Sequence, residues 1–123
     1  MGLGSVAEWP MKGGKMRFFG LKSCDTCRQA LAALRRAGHE PVVTDVRADG
    51  VAATDIARIV DTFGPEAVNR ASATWRALSD DERNLPVAEL LARHPTVMKR
   101  PVIEAEGVWT IGWDSASRLR WNC

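Results

Sequence analysis

The first third of the chain contains two short apolar runs, which predict strands, and between them a helical repeat of apolar residues. The run MRFFG (Met16 to Gly20) is short and continuous, and EPVVTDV (Glu40 to Val46) is rich in β-branched residues, so both are predicted strands. Between them lies a helical pattern that starts near Ser23 to Asp25. Its apolar residues, with a glycine that can end the helix, are Cys27, Ala30, Leu31, Leu34, Ala37 and Gly38. This β-α-β unit predicts a parallel strand pair.

The middle of the chain is predicted to be helical. One helix ends at Gly64-Pro65 and would be capped by Thr54 or Asp55. The polar stretch over residues 69–84 favours only short helical turns. Pro86 suits the first position of another helix, whose buried face is predicted to contain Val87, Leu90, Leu91 and His94. We expect these helices to form an insert over about residues 52–94.

The last part of the chain predicts a hairpin and a short helix. The hairpin strands are Val102 to Ala105 and Val108 to Ile111, with the turn at Glu106-Gly107, and the helix begins at Asp114 or Ser115. The order is therefore β-α-β, helical insert, β-β-α. With a C-x-x-C motif after the first strand, it predicts an α/β, thioredoxin-like fold with a four-stranded mixed sheet over residues 16–123.

Composition narrows the class of protein. The 123 residues suffice for one domain, and the near balance of 17 basic against 15 acidic residues argues against nucleic acid as a partner. The apolar runs are too short for a membrane span. Residues 1–15 lack the apolar centre of a secretory signal and are expected to form a flexible leader, so that Met11 or Met16 could be the true start. We therefore expect a cytoplasmic protein, in a compartment where structural disulfides are rare. We also expect a monomer.

Cys24 and Cys27 are the candidate reactive groups. A cysteine at a helix start faces unpaired backbone N–H groups and the positive end of the helix dipole, which both favour its thiolate. Lys22 and Arg28 add positive charge nearby in the sequence. Cys24 is therefore predicted to have a lowered pKa and to attack. Cys27, nearly one turn later, should face the core and could resolve a mixed disulfide.

Other interpretations of the cysteines and histidines remain open. Structural zinc needs four ligands, and His39, His94 and Cys123 show no zinc-like spacing, so no metal is expected. Pure packing is the main alternative for Cys27. Cys123 is expected to be frayed and exposed. His39 is expected at the surface, and His94 is expected to be a packed or capping residue.

The proline at the start of the third strand is predicted to lie beside the thiols, as in thioredoxin-like domains. Pro101 occupies that place, and we expect a cis Arg100–Pro101 bond. Arg100 could then bind an anion next to Cys24 through its planar guanidinium. Solvated surface charge is the default for Lys99 and for the other arginines, which include Arg70, Arg76, Arg93 and Arg118.

Five short motifs in this order resemble the arsenate reductase ArsC/Spx/YffB family. They are GLKSCDTCRQAL, DVRADG, ATWRAL, HPTVMKRPVI and IGW, and the resemblance extends over about residues 16–121. The YffB-type branch is most similar, since it shares the second and third motifs. The resemblance implies a thioredoxin-like domain with a helical insert. It also implies cysteine chemistry, with glutathione as co-substrate and glutaredoxin as a partner.

Site residues follow from the resemblance position by position. Cys24 matches the family's nucleophile and Arg100 its anion-binding arginine, while Lys22 is a further candidate. Arg70 is the nearest match to a second family arginine, but it is one residue out of register with the TWR motif. Two departures point away from arsenate as substrate: Gly20 replaces a histidine of the arsenate reductases, and Trp113 stands where a third arginine is expected.

Two functions are compatible with these residues. The first is a glutathione-linked thiol oxidoreductase that acts on a small thiol or oxyanion substrate. The second is a redox-sensing regulator similar to Spx, which binds RNA polymerase and shares the C-x-x-C pattern. The sequence favours the enzyme, because the similarity to the YffB-type branch is closer outside the cysteine motif.

Overall fold

The computed structural model describes residues 16–123, so the leader predicted over residues 1–15 lies outside the described part. The elements follow in the order β1 (Arg17–Gly20), α1 (Asp25–Arg36), β2 (Val42–Asp45), α2 (Ala53–Phe63), α3 (Ala73–Arg76), α4 (Asp80–Arg83), α5 (Val87–Arg93), β3 (Val102–Ala105), β4 (Val108–Ile111) and α6 (Ser115–Arg120). Turns of 3₁₀ helix lie at Gly64–Ala67 and Pro95–Val97. The predicted order of strands and helices is confirmed.

The chain divides into two compact units. One combines residues 16–44 with Arg100–Cys123, and the other is Asp45–Lys99. The first contains the cysteine motif and Arg100, which are far apart in sequence. Within the described residues, no helix is long and apolar enough to cross a bilayer.

The sheet is mixed and has the strand order β2-β1-β3-β4, as in the predicted thioredoxin-like fold. β1 and β3 are antiparallel and pair Arg17 with Glu104, whose side chains form an ion pair at 2.9 Å between Nε and Oε1. β3 and β4 form the predicted hairpin. Its turn residues, Glu106 and Gly107, have φ of 52° and 81°, which suit the tight turns that match the twist of paired strands. β3 therefore lies in the centre of the sheet, with Pro101 directly before it.

The core beside the cysteine motif is formed by the sheet, α1 and the end of the chain. Its buried residues are Met16, Phe18, Cys27, Ala30, Leu34, Ile103 and Trp121. Three of them come from α1 and recur at the helical spacing predicted from the sequence. Cys24 and Trp113 are partly buried and pack against this cluster. The helix that begins at the cysteine motif is thus fixed by apolar burial along its length.

The DVRADG motif forms a turn that is stabilised by its own first residue. Asp45 is buried, and its Oδ1 accepts hydrogen bonds from the N–H groups of Arg47 and Ala48 at 2.9 Å. Asp49 in turn accepts a hydrogen bond from the Asp45 N–H at 2.9 Å through Oδ2. Such local carboxylate–backbone bonds stabilise turns. Within its unit the motif has a structural role.

Several local expectations are wrong. α2 begins at Ala53 with Ala52 as its N-cap and no side-chain cap, so neither Thr54 nor Asp55 caps it. β2 is shorter than predicted. His39 is partly exposed, so its expected surface position is met in part, and its Nε2 lies 2.8 Å from the Trp121 carbonyl oxygen. Cys123 is also only partly exposed and packs against the core cluster. The last residues are thus held by tertiary contacts that the sequence pattern does not reveal.

His94 has the packing and capping role expected of it. It is the C-cap residue of α5, and its Nε2 lies 2.7 Å from Oε2 of Glu82. This interaction lowers the pKa of Glu82. Near the end of the chain, the predicted start of α6 is confirmed, since the helix begins at Ser115. Asp114 is its N-cap residue, and its Oδ1 accepts a hydrogen bond from the Ser117 N–H at 2.9 Å.

Two leucines test how much the core depends on α1. Leu34 is fully buried in the cluster, whereas Leu119 on α6 is 79% exposed. Leu34→Ala should lower the free energy of unfolding by about 2–5 kcal/mol, because it removes buried methyl groups and leaves a cavity. Leu119→Ala should change it by no more than about 0.5 kcal/mol. Denaturant unfolding of both variants measures this difference, and equal effects would contradict the described packing.

Candidate active site

Cys24 is the residue at which the chain enters α1. It is the N-cap residue, with φ of −91° and ψ of 118°, and its side chain is partly buried. Its own N–H donates to the Leu21 carbonyl at 3.0 Å, and its carbonyl accepts from the Arg28 N–H at 3.0 Å. The apolar pattern that buries α1 thus places the Cys24 sulfur at the positive end of the helix.

The surroundings of Cys24 favour its thiolate. Partial burial is the largest influence and opposes ionisation, but four others together outweigh it and lower the pKa of Cys24. They are the backbone N–H and the thiol of Cys27, and the charge and a hydrogen bond of Arg100. The Cys24 side chain does not form a cap hydrogen bond with the first turn of α1. The Cys27 N–H nevertheless favours the thiolate form of Cys24. Ionised Cys24 is therefore the better nucleophile of the pair.

Cys27 has the opposite character. Its side chain is 3% exposed and belongs to the core cluster, as the sequence predicted. Burial, and to a smaller extent the neighbouring Cys24, raise the pKa of Cys27 to about 11, although a hydrogen bond from the Leu21 backbone partly offsets them. Cys27 is therefore protonated at neutral pH and can donate its S–H to the Cys24 thiolate.

Arg100 is brought to the thiols by the start of β3. The Arg100–Pro101 bond is cis, as the sequence predicted, and Pro101 is fully buried. Its carbonyl oxygen accepts a hydrogen bond from the Gly112 N–H at 2.8 Å. The guanidinium of Arg100 interacts with Cys24 through charge and a hydrogen bond. Cys24, Cys27 and Arg100 thus form one cluster.

The other predicted cations are placed differently. Lys22 is exposed, and its carbonyl oxygen accepts a hydrogen bond from Nη1 of Arg28 at 3.1 Å. Arg28 also forms an ion pair with Asp25. The arginine whose charge lowers the pKa of Cys24 is Arg100. Arg70 belongs to the other unit, where its guanidinium carbon lies 5.2 Å from the centre of the Trp75 ring. An anion-binding role for Lys22 or Arg70 stays a prediction.

Gly20 is a neighbour of the thiols whose structural role sequence reasoning missed. It ends β1, and a β-carbon at this position would meet the side chains of Phe18 and Cys27. The available signal was a glycine inside an apolar strand, which often marks a close approach. Within residues 16–123, no group of three or more histidine, cysteine or acidic side chains could hold a metal ion.

Comparisons with known proteins agree with this architecture. An uncharacterized protein of Haemophilus influenzae is 34% identical over 101 residues, which cover 78% of this chain and 89% of that protein. The solved structure of a protein named YFFB has a TM-score of 0.80 and 26% identity, and covers 88% of this chain and 99% of its own. An arsenate reductase-related protein of Brucella melitensis has a TM-score of 0.66 and 29% identity, with 98% of each chain covered.

These similarities support a thiol oxidoreductase of the YffB type. The family profile of ArsC matches residues 19–120, which include the cysteine motif, Arg100 and Trp113. The predicted family is confirmed, and this chain belongs to the ArsC family.

Proposed function

We propose that this protein is a glutathione-linked thiol–disulfide oxidoreductase in which Cys24 is the nucleophile. The observation that carries the proposal is the cluster formed by Cys24, Cys27 and Arg100. Cys24 is partly exposed at a helix start, and Cys27 and Arg100 lower its pKa. Thiolates, and not thiols, attack disulfides. Belonging to the ArsC family supports cysteine-based chemistry here.

The reaction begins when the Cys24 thiolate attacks one sulfur of a disulfide R–S–S–R′. The new bond joins Cys24 to R–S, the old S–S bond breaks, and R′–S⁻ leaves and takes up a proton from water. Cys27 then gives up its proton and attacks Cys24, which releases R–S⁻ and leaves a Cys24–Cys27 disulfide. Two glutathione molecules reduce this disulfide and become glutathione disulfide. The net change is one substrate disulfide reduced for two glutathione thiols oxidised.

The attack of Cys27 on the mixed disulfide requires a thiol with a raised pKa to lose its proton. With its pKa raised to about 11, Cys27 is almost entirely protonated at neutral pH. Once Cys24 is part of a mixed disulfide its negative charge is gone, which removes one cause of the raised pKa. Glutathione can also attack the mixed disulfide directly, which makes Cys27 dispensable for turnover. The two routes predict different effects of a Cys27 substitution on turnover.

Arg100 supplies the anion contact of the proposed site. A guanidinium binds a carboxylate or oxyanion through two parallel hydrogen bonds, and glutathione carries two carboxylates. The effect of Arg100 on the pKa of Cys24 supports this role, because it requires the guanidinium to lie near the Cys24 sulfur. Arsenate is a weaker candidate, because Gly20 and Trp113 replace the histidine and the third arginine that the resemblance implies for arsenate reductases.

The alternative of a redox-sensing regulator that binds RNA polymerase has no specific support. The lowered pKa of Cys24 supports a nucleophilic thiol and so favours the enzyme. The regulator would bind RNA polymerase without glutathione-dependent turnover, so the assay below separates the two functions.

The function is tested with purified protein, glutathione and three substrates in parallel: a glutathione mixed disulfide, a disulfide dye and arsenate. Disulfide reduction should be measurable with the wild type, and Cys24→Ser should abolish it, because the oxygen keeps the size but lacks the reactivity. Cys27→Ser separates the routes: loss of turnover indicates resolution by Cys27, and retained turnover indicates direct attack by glutathione. Wild-type activity equal to that of Cys24→Ser would contradict the proposal.

Arg100 should contribute to both binding and reactivity. Arg100→Ala removes a charge-assisted hydrogen bond worth roughly 1.5–3 kcal/mol, so the KM for glutathione should rise about ten- to a hundredfold. The pKa of Cys24 should rise as well, because a nearby cation favours the thiolate. Arg100→Lys keeps the charge without the planar fork and should be intermediate. Steady-state kinetics and thiolate absorbance against pH measure the two effects.

The matched control for Arg100 is Lys99→Ala, since Lys99 is exposed and next to Arg100 in sequence. It should leave both the KM and the titration of Cys24 unchanged. Arg100→Ala with the kinetics and titration of the wild type would remove Arg100 from the site.

A further inference from the structure

Gly20 lies directly against the side chain of Cys27. A β-carbon built on Gly20 would be 2.7 Å from Cε1 of Phe18, 3.1 Å from Sγ of Cys27 and 3.4 Å from Cβ of Cys27. Separations under 3.0 Å are essentially never seen for real β-carbons. The space that an alanine methyl group would need is thus already filled by a core ring and by the second thiol.

The backbone does not require a glycine at this position. The glycines with positive φ among the described residues are Gly38, Gly50, Gly64, Gly107 and Gly112. Gly20 is instead part of β1, where the missing side chain costs conformational entropy and packing. The close contact with Phe18 and Cys27 is therefore the physical reason for a glycine here.

Neither neighbour can move away without cost. Phe18 is 2% exposed and Cys27 is 3% exposed, so both lie in a densely packed interior. Cys27 is also fixed by its position in the first turn of α1, which buries Ala30 and Leu34 behind it. Any side chain at position 20 must therefore displace the Cys27 thiol, the Phe18 ring or both.

We propose that Gly20 is a positioning residue for the thiol pair: its missing side chain leaves the space that holds the Cys27 thiol, and through that thiol Gly20 controls the reactivity of Cys24. The proposal rests on the proposed function in taking Cys24 as the reacting thiol. It assigns no direct contact between Gly20 and Cys24.

The link between Gly20 and Cys24 is the Cys27 thiol. Both the thiol and the N–H of Cys27 favour the Cys24 thiolate. A hydrogen bond from a thiol depends on the direction of the S–H, so a displaced sulfur donates less well. A methyl group at position 20 should therefore weaken the contribution of Cys27 while leaving that of Arg100 in place.

The test is Gly20→Ala in the full chain, with the pKa of Cys24 measured from the pH dependence of its alkylation by peptide mapping. Loss of one hydrogen bond should raise this pKa by about half a unit to one unit, and should slow alkylation below the pKa about three- to tenfold. In a Cys27→Ala background the same change at position 20 should have no further effect on Cys24, because the connecting thiol is gone.

Two further variants separate positioning from general loss of stability. Gly107→Ala is strained at its φ of 81° but has no heavy atom within 4 Å of the added carbon, so it should destabilise the protein and leave the Cys24 titration unchanged. If Gly20→Ala does not fold, Phe18→Leu with Gly20→Ala removes the nearest ring atom and keeps the contact with Cys27. This double variant should show the raised pKa relative to Phe18→Leu alone.

A folded Gly20 variant with the Cys24 titration of its parent would overturn the proposal. The proposal would also be overturned if Gly20→Ala raised the pKa of Cys24 equally in the wild type and in the Cys27→Ala background. Because the titration requires no substrate, it is independent of turnover. A shift of the predicted kind in a protein that reduces no disulfide would contradict the proposed function and support the role of Gly20.

Discussion

The stabilisation of the Cys24 thiolate by Cys27 and Arg100 is the interaction on which the rest of the site depends. A partly buried thiolate is costly, and here burial is the largest single influence on its pKa. It is outweighed only because Cys27 and Arg100 are both held beside it. Cys27 is held by the burial of α1, and Arg100 by the start of β3. The chemistry thus depends on the sheet, which brings residues 24 and 100 together across the sequence.

The pKa values of the two cysteines shift in opposite directions because their surroundings differ. Cys24 is partly exposed and can meet a substrate, whereas Cys27 is packed into the core and keeps its proton. Space for the second thiol comes from Gly20, which cannot take a side chain without disturbing Cys27. A histidine at position 20 and a thiol at position 27 would therefore compete for the same volume.

Elements with a strong local signal could be predicted from sequence. The stripe of Cys27, Ala30 and Leu34 predicted α1 and its buried face, and the hairpin turn at Glu106-Gly107 was also correct. The start of α2 could not be predicted correctly, because its N-cap residue, Ala52, has no capping side chain that would mark it in the sequence. The contacts of His39, Cys123 and Gly20 arise from residues that are distant in sequence or packed through space, which periodicity does not encode. The lowered pKa of Cys24 was predicted, but its main cation is Arg100 and not the sequence-adjacent Lys22 or Arg28.

The central claim is that Cys24 is the reactive thiolate, and rates of alkylation resolved by residue test it most directly. The wild-type protein would be alkylated for short times across a range of pH, and the label on each cysteine would be quantified by peptide mapping. Cys24 should react first, with a midpoint below the free-cysteine value of about 8.5, while Cys27 stays unlabelled in the folded protein. Faster labelling of Cys27 or Cys123, or a Cys24 midpoint above that of a free cysteine, would contradict the account.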